Sequence, residues 1–173
     1  MFNLAPVSLW LEDYSALKAL FQRWREEGVE DLEAYLRADP SLLAQCSAAL
    51  RVLQVNQRTL DLFAAPDQAT LVAQLGQIFR DDMHHSLVRE LVQLWEGRLE
   101  YSNESVNYAL DGRRLDVRVN VRVLPGHEED WSRVLVSLED ITRQMQDALQ
   151  VRRSEQYARG LFEYSPVSLW VED

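Results

Sequence analysis

The sequence predicts an α/β fold of the α+β kind, in which helices flank an antiparallel sheet of five strands. Two strands are predicted at 101–110 and 113–124 on either side of Asp111-Gly112, which is a strong signal for a β-hairpin, and the second strand alternates apolar and polar side chains. Residues 133–138 place valine and leucine at every second position, which indicates a strand with one buried face. Elsewhere, apolar residues recur at the spacing of amphipathic helices.

A strand and a helical segment are predicted at the start of the chain. Residues 6–11 form the first strand, and Trp10 is its expected anchor in the core. Residues 15–28 then carry apolar side chains at helical spacing, namely Leu17, Leu20, Phe21 and Trp24. Two shorter helices follow at 30–38 and 41–50. The stretch of about 15–50 is therefore a helical insertion after the first strand.

The middle of the chain predicts one more strand and three helices. Residues 51–55 form the second strand, and Asn56 follows it. Asn56 is expected to cap the helix that begins at residue 57, because its side-chain oxygen can accept from free N–H groups of the first turn. Helices are also predicted at 67–75 and 82–97, the longer one with a stripe formed by Leu87, Leu91, Leu94 and Trp95.

The end of the last strand passes directly into another helix. Asp140 follows the apolar run, and a carboxylate at this point can cap the N-terminus of a helix and favour its dipole. A strand joined to a helix without a loop can carry strain from a core to a distant partner. Asp140, Ile141 and Thr142 are therefore the predicted signal junction.

These motifs, taken in order, resemble a PAS domain. Val55-Asn56, the Asp111-Gly112 hairpin and Asp140-Ile141-Thr142 carry the resemblance, which covers roughly residues 1–143. The helical insertion is the main departure from the family's pattern. The resemblance implies a sensory module of a bacterial signalling protein, whose output would be a histidine kinase or a diguanylate cyclase beyond this chain. It implies no catalysis by the chain itself.

The two ends of the chain repeat each other. Residues 2–13 and 162–173 are identical at eight of twelve positions, at a constant offset of 160. The sequence therefore predicts a sensory domain over 1–140, a signalling helix over 141–161 and the start of a second PAS-like domain over 162–173. The signalling helix has a weak heptad-like seam, which predicts a parallel homodimer.

Five aromatic residues are candidates to line a ligand pocket between the sheet and the helices of residues 57–95: Trp10, Phe63, Trp95, Tyr108 and Trp131. Aromatic walls with a few polar tips are typical of small-molecule sites. The same rings could fill a packed core, and their number does not separate the two interpretations. The alternative function is thus a ligand-free dimerisation or protein-interaction module.

The cofactor stays open at this stage, with haem or a small organic ligand as candidates. Some PAS domains hold haem through a histidine on the helix before the hairpin, so the resemblance makes His84 or His85 a haem alternative. These two residues are adjacent and point about 100° apart on a helix, so they cannot both bind one metal ion, and no metal site is expected. Cys46 lacks the Gly-x-Asn-Cys-Arg surroundings of light-sensing members, so flavin photochemistry is not expected.

The composition limits the partners and the location. The net charge of −10 opposes binding to nucleic acid or to anionic lipid. The apolar runs are shorter than the roughly 20 residues that cross a bilayer, and no secretory signal is present, so membrane insertion is not expected. A single cysteine, Cys46, is expected to be buried in a helix as a small apolar residue. We expect a cytoplasmic protein that joins an output domain of the same polypeptide.

Overall fold

The computed structural model describes residues 2–80 and 83–164. The chain divides after Asp140 into two compact units. The first unit contains a short 3₁₀ helix (Phe2–Leu4), β1 (Ser8–Asp13), α1 (Ser15–Glu26), α2 (Leu32–Ala38), α3 (Pro40–Ala48), β2 (Arg51–Val55), α4 (Gln57–Leu62), α5 (Gln68–Ala73), α6 (Leu75–Ile78), α7 (Met83–Trp95), β3 (Glu100–Tyr108), β4 (Arg114–Val123) and β5 (Val134–Asp140). The second unit contains α8 (Thr142–Tyr164).

The five strands form one antiparallel sheet in the order β2-β1-β5-β4-β3. Trp10 on β1 pairs with Val136 on β5, which pairs in turn with Val121 on β4. All three side chains are buried, so this row marks the inner face of the sheet. Helices α4, α5, α6 and α7 contact the strands. The predicted α+β fold with a five-stranded antiparallel sheet and flanking helices is confirmed.

Three helices, α1 to α3, lie between β1 and β2, where the sequence predicts a helical insertion. Asp31 starts α2 and Asp39 starts α3, each through a side-chain oxygen that accepts from a backbone N–H of the first turn, at 3.1 and 3.0 Å. Pro40 occupies the first position of α3, where a missing N–H does no harm. The amphipathic pattern of α1 buries Leu17, Leu20, Phe21 and Trp24. Two helices of the insertion are thus capped by aspartate side chains, and α1 contributes to the core.

The β3–β4 hairpin turns at the predicted Asp111-Gly112. Gly112 has a φ of +93°, a conformation that glycine adopts without a steric penalty. The turn is closed by a hydrogen bond from the Ala109 N–H to the Arg113 carbonyl, at 2.9 Å. The inward side chains of β4 are all buried, as their alternation predicts: Leu115, Val117, Val119, Val121 and Val123.

The second unit is described as the helix α8. Among the side chains of α8 that the structure describes, four large apolar ones are exposed: Met145, Leu149, Val151 and Tyr157. The predicted first strand of the next domain, residues 166–171, lies outside the described residues. Within the part of the chain that the structure describes, no helix is both long enough and apolar enough to span a bilayer.

Candidate functional site

A cavity of about 200 Å³ lies in the first unit, between the inner face of the sheet and residues of α3, α6 and α7. Its apolar walls are formed by Trp10, Leu50, Val52, Leu75, Phe79, Leu87, Val119, Val136 and Leu138. Polar side chains also line it, namely Glu12, Tyr14, Ser47, Glu90 and Asn107. Apolar walls with a few polar groups are the usual make-up of a small-molecule site.

Glu12 enters the cavity because of its position on β1. The side chains of Ser8, Trp10 and Glu12 follow each other on the buried face of this strand. The Tyr14 hydroxyl donates to Glu12 Oε2 at 2.5 Å, and the Tyr14 N–H donates to the carbonyl of Trp131 at 2.8 Å. One oxygen of this buried carboxyl thus has a partner from the protein, and Tyr14 is itself held in place.

Glu90 and Asn107 bring further polar groups to the cavity. Glu90 lies on the apolar side of α7 with 8% of its surface exposed, and Asn107 lies on β3 with 1% exposed. Among the described residues, neither Glu90 Oε1 nor Asn107 Oδ1 has a hydrogen-bond partner. Buried polar atoms in folded proteins nearly always have one, because an unpaired atom keeps the full cost of its lost hydration. Because both residues line the cavity, these two oxygens are the candidate acceptors for hydrogen bonds from a ligand.

The two carboxyl groups, here called the acidic pair, titrate far from their ordinary range. Burial raises the pKa of Glu12 to about 7, although the Tyr14 hydroxyl bond lowers it. Burial, and then the charge of Glu12, raise the pKa of Glu90 to about 8, against a smaller lowering by Arg89. Burial also raises the pKa of Tyr14 and Tyr101 well above 10, so both phenols are neutral. Near neutral pH the acidic pair can therefore gain or lose a proton.

The five predicted pocket aromatics occupy different places. Trp10 lines the cavity, and Phe63 packs edge-on against Trp10 with ring centroids 5.7 Å apart. Tyr108 is half-buried and stacks under the Arg80 guanidinium at 4.3 Å. Trp95 and Trp131 both pack edge-on against Phe21 of the insertion, at 5.3 and 6.0 Å. Of the five, Trp10 alone belongs to the lining of the cavity.

Phe21 and its neighbours form a second aromatic region, here called the Phe21 cluster: Phe21, Trp24, Tyr35, Trp95 and Trp131. Among the described residues, no fully buried side-chain nitrogen or oxygen of this cluster lacks a hydrogen-bond partner. Trp95 Nε1 donates to the Glu30 carbonyl at 3.3 Å, and Arg25 both stacks on the Trp95 ring at 3.8 Å and donates to the Trp95 carbonyl. This cluster is a packed core that attaches the insertion to the rest of the first unit.

Asn56 caps α4 and binds the start of the chain. Its Oδ1 accepts from the backbone N–H of Thr59 and of Leu9, at 3.1 and 3.0 Å, and from the Thr59 hydroxyl. Its Nδ2 donates to the carbonyls of Val7 and Phe2, at 2.9 and 3.2 Å. Both ends of the amide are thus used within the protein. Asn56 holds β1, α4 and the N-terminal segment together.

At the predicted junction, β5 ends at Asp140 and α8 begins at Thr142. A single residue, Ile141, separates the strand from the helix. Val136 and Leu138 of the same strand line the cavity, so the cavity wall and the junction belong to one short run of backbone. The part of the cavity wall that β5 forms is thus only a few residues away in sequence from the start of α8.

The histidine and cysteine candidates lie away from the cavity. His84 and His85 are exposed on α7, and neither lines the cavity. Cys46 is buried on α3, where burial raises the pKa of its thiol to about 12, so it is a thiol and not a thiolate. No group of three or more metal-binding side chains occurs in the described ranges 2–80 and 83–164.

The volume of the cavity limits the size of the ligand or cofactor that it can hold. Pockets that enclose drug-sized ligands measure roughly 300–1,000 Å³, and haem and flavin belong to the larger ligands of this class. The cavity measures about 200 Å³. This volume favours a ligand smaller than haem or flavin.

Sequence reasoning missed Glu12, Glu90 and Asn107, because the chain has 28 acidic residues and most acidic side chains lie on surfaces. A signal was nevertheless present. Glu12 lies two residues from Trp10 on the buried side of a strand, and Glu90 lies within the apolar stripe of α7, between Leu87 and Leu94. A carboxyl group in an otherwise apolar stripe indicates a buried acidic residue and thus a candidate site residue.

Comparison with solved structures identifies the fold. The LOV domain of a blue-light activated histidine kinase from Erythrobacter litoralis superposes with a TM-score of 0.51 at 13% identity, over 79% of this chain and 97% of that one. A LOV domain studied with a flavin analogue gives 0.53 at 11% identity, over 87% and 89%. The LOV protein of Rhodobacter sphaeroides gives 0.51 at 16% identity, over 82% and 63%.

The fold of this chain is thus the one shared by PAS and LOV domains, with the insertion α1–α3 added. At these identities the likeness concerns the fold alone. No protein-family model and no curated protein sequence matches the chain.

Proposed function

We propose that this chain is a signal-sensing module, which binds a small molecule in the cavity and transmits the change through Asp140-Ile141-Thr142 and α8 to an output domain of the same polypeptide. The observation that carries the proposal is the cavity itself, with two buried oxygens, Glu90 Oε1 and Asn107 Oδ1, that lack partners among the described residues. A core that served packing alone would fill this volume and pair these atoms.

The route of transmission follows from the position of β5. Val136 and Leu138 form part of the cavity wall, and Asp140 ends the same strand. A ligand shifts an equilibrium between two arrangements only by the difference in its affinity for them. Contacts with β5 would supply such a difference, because this strand leads into α8.

The output domain and the assembly belong to the same proposal. A histidine kinase or a diguanylate cyclase is the kind of output that a PAS sensor regulates, and a cytoplasmic location accords with the acidic sequence. We propose a parallel homodimer through α8, whose exposed Met145, Leu149, Val151 and Tyr157 favour association. Light scattering should give the mass of a dimer, and a monomer at all concentrations would contradict this assembly.

The same exposed residues favour the alternative function, a ligand-free dimerisation module. The two functions differ in what happens in the cavity. A sensor binds small molecules there and alters α8 when it does so, whereas a dimerisation module does neither.

A fragment screen tests the sensor function. Ligand-observed NMR with compounds of about six to ten non-hydrogen atoms should find binders to the wild type, and Val136→Phe should abolish their binding by filling the cavity. Val72→Phe is the matched control, because Val72 is exposed on α5 and its substitution leaves the cavity unchanged. If Val136→Phe does not melt cooperatively, Leu50→Phe blocks the same cavity from β2's side of the wall.

Hydrogen exchange then tests transmission. A binder should change the exchange rates of amides in residues 142–160 in the wild type and in Val72→Phe, and should leave them unchanged in Val136→Phe. Absence of binding by every fragment would contradict the sensor function. Binding without any change in α8 would contradict the proposed route.

A further inference from the structure

The unpaired atoms of the cavity are both acceptors. Once Glu90 is ionised, its carboxylate has no hydrogen to donate, and an amide oxygen only accepts. Glu90 Oε1 and Asn107 Oδ1 therefore need donors, and no described residue supplies them. The Tyr14 hydroxyl already bonds to Glu12 Oε2. A ligand that completes this site must bring its own N–H or O–H groups.

The ionisable carboxyl groups of the cavity have no basic side chain among the described lining residues. These carboxyl groups belong to Glu12 and Glu90. Arg89 is the cation nearest in sequence to Glu90, and its Nη2 bonds to the Glu104 carbonyl at 3.4 Å on an exposed part of the surface. Ionising two buried carboxyl groups without a cation nearby is costly, because burial removes their hydration and no opposite charge replaces it. A positively charged ligand would remove this cost.

Size and shape favour an organic cation. An apolar cavity of about 150 Å³ is large enough to hold benzene, and this one measures about 200 Å³. Trp10 and Phe79 stand in its wall with ring centroids 6.3 Å apart. Aromatic faces attract both apolar bodies and cations. Divalent metal ions suit the site poorly, since Ca²⁺ takes about six to eight oxygen ligands and has no use for apolar walls.

We propose that the cavity selects small organic cations, of the class of primary amines with a compact apolar body, and that Glu12, Glu90 and Asn107 hold the ammonium group. This inference rests on the proposed function and names the chemical class of its signal. The ammonium offers three N–H donors, enough for both unpaired oxygens and for a carboxylate oxygen of Glu12. The apolar body occupies the space beside Trp10, Phe79 and Leu87.

Three probes of one shape and different charge test the proposal by isothermal titration at pH 8: benzylammonium, benzyl alcohol and benzoate. Benzylammonium should bind at least tenfold more tightly than benzyl alcohol, because hydrogen bonds between charged groups are roughly twice as strong as neutral ones. Benzoate should show no binding, because its charge repels the acidic pair. Calcium chloride and magnesium chloride form a fourth arm and should give no heat.

Charge-removing variants locate the effect. Glu90→Gln keeps the shape of the side chain and removes a buried charge, so it should fold and should lose the preference for benzylammonium over benzyl alcohol. Glu12→Gln should reduce that preference in the same direction. Glu100→Gln is the matched control, since Glu100 is exposed on β3, and it should keep the wild-type preference.

The outcomes separate this inference from the proposed function. Binding of benzyl alcohol or benzoate as tight as that of benzylammonium would overturn the inference and leave the sensor function standing. A preference for Ca²⁺ or Mg²⁺, or a preference for benzylammonium that survives in Glu90→Gln, would also overturn it. Absence of binding by all three organic probes, together with a negative fragment screen, would contradict both.

Discussion

In the Phe21 cluster, rings from α1, α2, α7 and the loop before β5 pack against each other at centroid distances of 5.2 to 6.1 Å. At the cavity, Trp10 and Phe79 also approach each other, at 6.3 Å, but they stand beside about 200 Å³ of open volume. Both regions are buried and aromatic. By composition alone, each could be a core or a binding site.

Their polar atoms distinguish the two regions. The indole N–H of Trp95 has an acceptor, and the Trp95 carbonyl has a donor in Arg25. At the cavity, Glu90 Oε1 and Asn107 Oδ1 lack partners within the described residues. Where the polar atoms are paired, the fold itself satisfies their hydrogen bonds. Where acceptors are unpaired, a ligand must supply the donors. Hydrogen-bond pairing is thus more informative than aromatic content.

The largest expected loss of stability comes from removing a ring from the Phe21 cluster. Phe21→Ala removes a ring that touches Trp24, Trp95 and Trp131, and the surrounding rings cannot close the space. We expect the free energy of unfolding to fall by about 3–5 kcal/mol, as measured by urea denaturation.

Phe79→Ala is the matched substitution at the cavity. Phe79 is partly exposed and faces open volume on one side, so it makes fewer contacts that can be lost. Its cost should be smaller, about 1–3 kcal/mol, in the same measurement. Equal losses in the two variants would show that the regions are packed alike and would remove the basis of the comparison.

The second effect is a pH dependence that arises from the acidic pair. The ordinary pKa of a glutamate is 4.5, and the folded protein raises it to about 7 for Glu12 and about 8 for Glu90. Between these values the folded protein holds protons that the unfolded chain has released, so stability falls as the pH rises. We expect a decrease on the order of 1–3 kcal/mol for each pH unit from about pH 5 to about pH 8, which levels off roughly one pH unit above the pKa of Glu90.

The double variant Glu12→Gln, Glu90→Gln is the control for this profile, and its stability should be nearly constant from pH 5 to pH 8. The other buried groups with raised pKa values do not titrate in this window, since Tyr14 and Tyr101 lie well above 10 and Cys46 lies at about 12. Urea denaturation at several pH values measures both proteins. A wild-type stability that rises from pH 5 to pH 8 would contradict the buried acidic pair.

The fold was predictable because its signals are local. The alternation from Leu115 to Val123 and the Asp111-Gly112 turn specify a hairpin within about twenty residues of sequence. The apolar stripe of α1 likewise specifies the first helix of the insertion. Each of these patterns depends on the geometry of one element or of one turn.

The division of the aromatic residues between cavity and cluster was not predictable in this way. Trp95 and Trp131 meet Phe21 only because the insertion brings α1 to that side, and no local pattern records this contact. Glu12 of β1 and Glu90 of α7 likewise line one cavity only because the fold brings these two elements together. Such a site depends on contacts between residues far apart in the chain, so sequence periodicity alone does not reveal it.

Asp140→Ala is expected to have the smallest effect on stability. It tests whether the cavity communicates with α8 through the end of β5. If Asp140 caps α8 as the sequence predicts, its loss costs about 1 kcal/mol, a small part of the roughly 5–15 kcal/mol that stabilise a domain. Because β5 carries Val136 and Leu138 of the cavity wall and ends at Asp140, the substitution should abolish the change that a fragment binder causes in the hydrogen exchange of residues 142–160. Asp67→Ala is the matched control, since Asp67 caps α5 through the Thr70 N–H at 2.7 Å, and it should keep that change. If Asp140→Ala transmits as the wild type does, the junction does not carry the signal; if the domain fails to fold, Asp140 is a structural residue and not a coupling residue.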